Sequence, residues 1–291
     1  MIKSLERLVG RHLPWPLRRV LEPVYRTIYH MIFERDFQVV WDKKLRRDIM
    51  EYLKLSEGEV YHMLKLGDRL TQMLWAALNP KTVQEEQRYY EITPFYICDM
   101  AYWHMQRRQR KLRDNIVKIA SGDVLDYGGG IGDLCARLAE KGLNVTYADV
   151  RGKTFEFAKW LFKKRGLEIE TIDLTKETLS KQYDTIICID VIELVSHQEA
   201  VLEKMAKCLR ENGRLVLNIA RVEENVSHPL HQNVQFDVEQ LLNSFGLTRT
   251  DKDWLWVKPA HKSKSKADQQ TKQATWKWLA YCSNQGRDKH A

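Results

Sequence analysis

Four aspartates each close a short apolar run: Asp126, Asp149, Asp173 and Asp190. Between the first two lies Gly128-Gly129-Gly130-Ile131-Gly132, preceded by Val124-Leu125 and followed by a helical pattern. Glycines let a backbone approach a ligand closely, and amides at the start of a helix face that ligand. Asp149 stands 21 positions after Gly128, the spacing at which an acid reaches the hydroxyls of a ribose. A turn made for a pyrophosphate keeps its surroundings free of negative charge, and a carboxylate directly before the glycines, as at Asp126, would repel that group. Four acids along one edge suit a cationic or amino-bearing cofactor instead.

A second set of reactive types follows the fifth apolar run, in Ser227-His228-Pro229-Leu230-His231-Gln232-Asn233. A histidine has an ordinary pKa of about 6.5, so His228 or His231 could serve as a base near neutral pH. The alternative is that they only fix the loop by hydrogen bonds. Two histidines without a placed carboxylate are too few to hold a metal ion, and none is expected. Glu193 is either a catalytic carboxylate or one that orients backbone at a strand end. Cys188 reads as core, and His197 as the residue that starts a helix.

These residues must be positioned by regular elements. From 121 onward, short β-rich runs at 123–127, 144–150, 168–173, 184–189 and 214–220 alternate with helical patterns at 132–141, 154–165, 175–181 and 198–211. Strand-helix alternation predicts a doubly wound, mostly parallel sheet covered on both faces, which binds its ligand beyond the carboxyl ends of the strands. Gly142, Gly166 and Gly213 sit where helix C-caps belong. A helix at 237–245 and strands at 247–250 and 254–257 would close the sheet.

The first 120 residues read as helices. At 17–32, Leu17, Val20, Leu21, Val24, Tyr25, Ile28, Met31 and Ile32 form a 3.6-residue stripe opposite Arg18, Arg19 and Arg26. Further helices are expected at 36–55 and 57–78, the latter stopped by Asn79-Pro80. Residues 88–113 are aromatic and then basic, from Tyr89, Tyr90, Phe95, Tyr96 and Trp103 to Arg107, Arg108, Arg110, Lys111 and Arg113. This divides the chain into a helical lid or substrate-binding domain at 1–120, an α/β core at 121–260, and a basic tail with a short helix at 261–291, where Trp276 and Trp278 either pack or meet a lipid interface.

The whole chain of 291 residues carries a formal +8. Residues 1–120 hold 22 Lys and Arg against 15 Asp and Glu, residues 121–250 hold 16 against 20, and residues 251–291 hold 9 against 4. The positive charge therefore belongs to the flanks and is poor evidence for nucleic acid. The five cysteines (Cys98, Cys135, Cys188, Cys208, Cys282) include no C-x-x-C pair, so a disulfide framework is not expected and a reducing compartment is. No apolar run reaches the length of a membrane span and the first residues do not read as a secretory signal. A cytoplasmic protein is expected, with a peripheral membrane contact open through residues 17–32.

The segments VLDYGGGIGD (124–133), YADV (147–150), TID (171–173), YDTIICIDVIELV (183–195) and LRENGRLVLNI (209–219) resemble, in order and spacing, the class I S-adenosylmethionine-dependent methyltransferases, those with a Rossmann-like core. The resemblance implies S-adenosyl-L-methionine as cofactor. It places Asp126, Gly128, Gly129 and Gly130 at its methionine part, Asp149 at the ribose, Val150 along the adenine, Asp173 at the adenine amine, and Ile189 and Asp190 beside the sulfonium. Where family members often read Leu-Glu-His-Val, this chain has Ile192-Glu193-Leu194-Val195, so no imidazole base carries over there. YYEITPFYICDMAYW (89–103) resembles the helical lid of small-molecule members, with Tyr96 closing over the cofactor and Tyr89, Tyr90 and Trp103 toward the acceptor. The expected activity is methylation of a partly apolar small molecule (a natural product, an isoprenoid or a peptide terminus), with oxygen as the expected acceptor atom. A catalytically silent module docking on a membrane or protein partner, and an RNA methyltransferase, are the alternatives.

Overall fold

The computed structural model describes residues 39–220 and 232–260. The amphipathic 17–32 stripe, the 227–233 loop as far as His231, and the tail with Trp276 and Trp278 lie outside them. Five helices lead: α1 (Lys43–Leu53), α2 (Glu57–Leu78), α3 (Val83–Ile92), α4 (Phe95–Met105) and α5 (Arg107–Ile119). The first three start at side-chain caps that satisfy orphan amides. Asp42 accepts from the N–H groups of Lys44 and Leu45, both at 3.0 Å. Ser56 with Glu59 and Thr82 with Glu85 form reciprocal capping boxes. Asn79, in the left-handed region at φ 46°, ends α2 directly before Pro80, as the sequence predicts. The helix expected from residue 36 begins only at Lys43, because Asp42 caps it there.

The α/β part runs β1 (Asp123–Tyr127), α6 (Asp133–Glu140), β2 (Asn144–Asp149), α7 (Lys153–Lys164), β3 (Glu170–Asp173), β4 (Tyr183–Ile189), a 3₁₀ turn (Ile192–Leu194), α8 (Gln198–Cys208), β5 (Leu209–Asn218), α9 (Val238–Ser244), β6 (Thr248–Arg249) and β7 (Leu255–Val257). Sheet order is β3-β2-β1-β4-β5-β7-β6. The first five strands are parallel, and β7 is antiparallel to both β5 and β6. Strand order reverses between β1 and β4, the switch point where an open α/β sheet receives its ligand.

Three local expectations differ. Residues 175–181 form no helix; Asp173 caps a turn there instead, accepting from the Thr175 N–H at 3.0 Å. The helix expected at 198–211 stops at Cys208 because Leu209 already pairs with Tyr183. Gly213 is therefore a strand residue inside β5 rather than a helix cap, and its Cβ position is blocked by the Arg210 carbonyl at 2.7 Å. Gly142 and Gly166 do follow helix ends in the left-handed region.

The two parts share one core. Ile49, Val60, Leu64, Ile97 and Ile116 of the helices are fully buried with Val124, Ile131, Leu138 and Phe157 of the α/β part. An ion network clamps the same seam. Asp48, 4% exposed, meets Arg165 at 2.5 Å and Lys164 at 2.9 Å, and Arg165 reaches Glu140 at 3.1 Å. A buried carboxylate is tolerable only with such partners. The clamp seats α1 on the end of α7.

Candidate functional site at the carboxyl edge of the sheet

β1 and β2 run in parallel register, so their ends bring the glycine loop beside Asp149. The Asp149 carboxylate accepts the Gly130 N–H at 2.6 Å and the Val150 N–H at 2.7 Å. Tyr147, buried beneath, donates its hydroxyl to the Gly130 carbonyl at 2.7 Å. Glycine is required here for two reasons. Gly128, Gly130 and Gly132 are left-handed, and side chains already fill the Cβ positions: Val191 at Gly128, the Tyr147 ring at 2.7 Å from Gly129, and the Met100 methyl at Gly130. Burial pushes the Asp149 carboxyl up to about 6 against the pull of its backbone donors.

Asp126 lies behind the loop rather than at its surface, 4% exposed, with the Cys135 thiol donating to it at 3.1 Å. Burial pushes its carboxyl up to about 7 despite that thiol and the Arg113 charge. Asp173 pairs with Asp149 across β2 and β3, but its Oδ1 is engaged by Thr175. Ile189 and Val150 are partly exposed at their strand ends.

Asp190 sits at the tip of β4 with φ 55°, an uncommon conformation for a residue with a side chain. Three side chains from three elements hold it there. Trp103 Nε1 donates to Oδ2 at 3.0 Å, Gln109 Nε2 donates to the same oxygen at 3.2 Å, and Asn218 Nδ2 donates to Oδ1. Gln109 is itself oriented by Arg113, whose Nη1 donates to Oε1 at 2.8 Å. Arg113 is 5% exposed, and its Nε finds no acceptor among the described residues. Its charge faces Asp133, Asp190 and Asp126. Arg110 pairs with Asp42 at 2.6 Å and with Asp114 at 3.4 Å, so only Arg107, Arg108 and Lys111 of the basic run are exposed.

One face of α4 lies along this whole edge. Tyr96, Met100, Trp103 and His104 fall within one helical stripe. Tyr96 feels the Asp149 charge, Met100 covers Gly130, Trp103 holds Asp190, and His104 Nδ1 meets Asp133 Oδ1 at 2.7 Å at the first turn of α6. Tyr90 packs on Tyr96 with ring centroids 5.9 Å apart. Burial, then neighbouring phenols and the Asp149 charge, raise both hydroxyls above the ordinary tyrosine value, so both are neutral donors. Tyr89 is 1% exposed behind them, donating to the Thr71 carbonyl at 3.3 Å. Trp103 is 48% exposed at the Asp190 end.

Glu193 is fully buried in the 3₁₀ turn. Its Oε1 accepts the Ala220 N–H at 3.0 Å and its carbonyl accepts the Gln232 N–H at 2.6 Å, so it ties both ends of the segment that carries His228 and His231. Burial pushes its carboxyl up to about 7, and Asp190 adds to the rise. Sequence reasoning missed Met100, His104, Gln109, Arg113 and Asn218. The 96/100/103/104 periodicity was the available signal for the first two. Among the described residues no three His, Cys, Asp or Glu side chains group to hold a metal ion, and no helix is long and apolar enough to cross a membrane.

A family model described as a methyltransferase domain matches residues 102–264, more than half of the chain. The chain belongs to that family. The match begins inside α4, so the helix that covers the sheet edge is continuous with the methyltransferase domain. Curated relatives include the ubiquinone biosynthesis O-methyltransferase of Rickettsia prowazekii, 33% identical over 110 residues, which are 37% of this chain and 44% of that protein. A protein of the same name from Dechloromonas aromatica is 28% identical over 109 residues, 36% of this chain and 47% of that one. The chain thus spans less than half the length of these relatives. Among solved structures, magnesium protoporphyrin IX methyltransferase from Synechocystis PCC 6803, with bound SAH, is 20% identical, covering 55% of this chain and 87% of that one with a TM-score of 0.44.

Proposed function

We propose that this domain binds S-adenosyl-L-methionine at the β1–β4 switch point and transfers its methyl group to a hydroxyl of a partly apolar small molecule. The observation that carries the reading is the charge pattern under α4. Asp149 and Asp190 stand at the sheet edge, Asp126 lies behind the glycine loop, Asp133 opens α6, and the buried Arg113 guanidinium faces Asp126, Asp133 and Asp190. That pattern fits a ligand with two cationic groups and one carboxylate. S-adenosylmethionine has those groups in its sulfonium, amine and carboxylate.

The residues divide the work. Asp149 would accept from the ribose hydroxyls while it keeps the Gly130 amide in place. Tyr90 and Tyr96 would close over the adenosine half as neutral donors. Arg113, whose Nε–H finds no acceptor among the described residues, would face the cofactor's carboxylate. Asp190, held by Trp103, Gln109 and Asn218, would place negative charge beside the sulfonium end. The cofactor supplies an activated methyl group, so the chain's task is to align the acceptor, exclude water and take up a proton. The half-exposed face of Trp103 beside Asp190 suits an acceptor with an apolar or planar part. The O-methyltransferase names of the relatives support oxygen as the acceptor atom.

The test is titration calorimetry of the full chain with S-adenosylmethionine and S-adenosylhomocysteine, followed by mass detection of methyl transfer to a panel of phenols and catechols. Micromolar binding of both is expected. No heat at millimolar cofactor, under conditions where the chain is folded by circular dichroism, would sink the reading.

A further inference from the structure

We propose that His104, oriented by Asp133, is the general base that takes the acceptor's hydroxyl proton. The inference rests on the methyltransferase reading above and adds a catalytic residue to it. Its basis is a juxtaposition on one face of α4. Trp103, one residue earlier, grips Asp190 at the proposed sulfonium end, and Met100, one turn earlier, covers Gly130. His104 lies between these contacts and the first turn of α6. There its Nδ1 stands 2.7 Å from Asp133 Oδ1.

The geometry sets the tautomer. Asp133 is the first residue of α6, where helix amides favour an anion, and the charges of Arg113 and Arg137 face it as well. Burial alone would raise its carboxyl, but the His104 hydrogen bond and the charges of Arg113 and Arg137 act against that and favour the ionised form. An ionised carboxylate can only accept, so Nδ1 must carry the hydrogen and Nε2 must present its lone pair. The hydrogen bond that holds the ring among the described residues is made through Nδ1. The groups that face His104 are Arg113 of α5, Asp133 of α6 and Asp190 at the end of β4. Burial, then the Arg113 charge, lower its pKa against the pull of the two acids, so the ring is neutral at neutral pH and able to accept a proton. This is the orienting logic of an acid-histidine pair in general base catalysis, with an acceptor hydroxyl in place of an enzyme nucleophile.

The step balances. The acceptor O–H proton passes to Nε2 as the O–CH₃ bond forms and the CH₃–S bond breaks, the sulfonium charge is discharged as a neutral thioether, and the new imidazolium is paired with Asp133. The proton then leaves to solvent.

His104→Asn keeps a side-chain donor for Asp133 and removes the base; Asp133→Asn keeps the shape and frees the other tautomer. With S-adenosylmethionine and a catechol probe, both should lower kcat by about 100-fold or more at neutral pH. Cofactor affinity should stay within about threefold for His104→Asn. The His104→Asn rate should climb about tenfold per pH unit toward the acceptor's own ionisation. The wild-type rate should level off once His104 is neutral. Long-range ¹⁵N NMR of the wild-type chain provides the reading that needs no turnover, with a neutral Nδ1–H ring expected for His104 at neutral pH. An imidazolium or an Nε2–H ring there would overturn the proposal, as would a His104→Asn kcat within threefold of wild type with an unchanged pH profile. Absence of cofactor binding in the wild type would instead remove the methyltransferase reading, a result separable from either of these.

Discussion

Replacing Asp149 separates two jobs that its carboxylate performs. One oxygen accepts the Gly130 N–H at 2.6 Å and the other the Val150 N–H at 2.7 Å. Two carboxylate oxygens offer about four acceptor directions, so room remains for ribose hydroxyls. Asp149→Asn keeps one carbonyl oxygen for Gly130 but loses the charge and half of the acceptor capacity. Loss of one hydrogen bond to a charged group is worth about 1.5–3 kcal/mol, which weakens S-adenosylmethionine about 10- to 100-fold. Asp149→Ala also frees the Gly130 amide beneath Met100 and should lower folding stability by about 1–3 kcal/mol. The pH dependence follows from burial, which pushes the free Asp149 up from 3.8 to about 6. A carboxyl raised in the folded state contributes stability below pH 3.8, and that contribution is lost as pH rises through about 6. Cofactor binding draws the proton off, so affinity should be flat above neutral pH and fall about tenfold per unit below about pH 6. Calorimetry in buffers of different ionisation enthalpy, spanning pH 5.5–7.5, should show proton release on binding by the wild type and less by Asp149→Asn. Equal affinity and equal proton release in the two proteins would refute the reasoning.

Asp126 and Glu193, both buried and both pushed up to about 7, should make the cofactor-free fold lose stability between about pH 4 and 7, seen as a lower urea midpoint at pH 7.5 than at pH 5. Glu193→Gln keeps an acceptor for the Ala220 amide without a charge and should raise that midpoint at pH 7.5 by an equivalent of about 1–3 kcal/mol; a lower midpoint would mean the ionised form is needed. Trp103→Phe removes one of the three donors to Asp190. It should cut turnover of a catechol probe about tenfold while leaving the cofactor dissociation constant within about threefold, whereas parallel losses in both would place Trp103 at the cofactor instead. Asp48→Ala leaves Arg165, a 10% exposed guanidinium, without its nearest carboxylate and should cost about 3–5 kcal/mol in denaturant unfolding; a change under 1 kcal/mol would show that the clamp between α1 and α7 carries no weight.

How much of this is legible in the sequence differs between the two ends of the site. Strand ends declare themselves in sequence, because an apolar run that stops at an acid and turns through glycines has few other ways to fold. Asp126, Asp149, Asp173 and Asp190 were found that way, and all four fall at or next to the carboxyl ends of parallel strands. Partners drawn from distant elements leave no such trace. Asn218, Gln109 and Trp103 converge on Asp190 from β5, α5 and α4, separated from it by 28, 81 and 87 positions. In sequence 107–113 is simply a basic run, yet Arg113 turns inward at the position where helical phase points at the acids, and nothing in the composition distinguishes it from Arg107 or Arg108.

The sequence by itself determined the doubly wound sheet, the glycine turn and the placement of acid on one edge, since those follow from periodicity, backbone freedom and short-range spacing. Tertiary structure alone decided which acids stay at the sheet edge and which are buried supports. Asp126 retreats behind the loop onto Cys135, and Asp173 caps a turn through Thr175. Asp149 and Asp190 remain at the edge, under the face of α4 that presents Tyr96, Met100, Trp103 and His104. The physical reason is that the charge state and direction of a carboxylate depend on its desolvation and on the donors packed around it, and those donors come from residues far away in the chain.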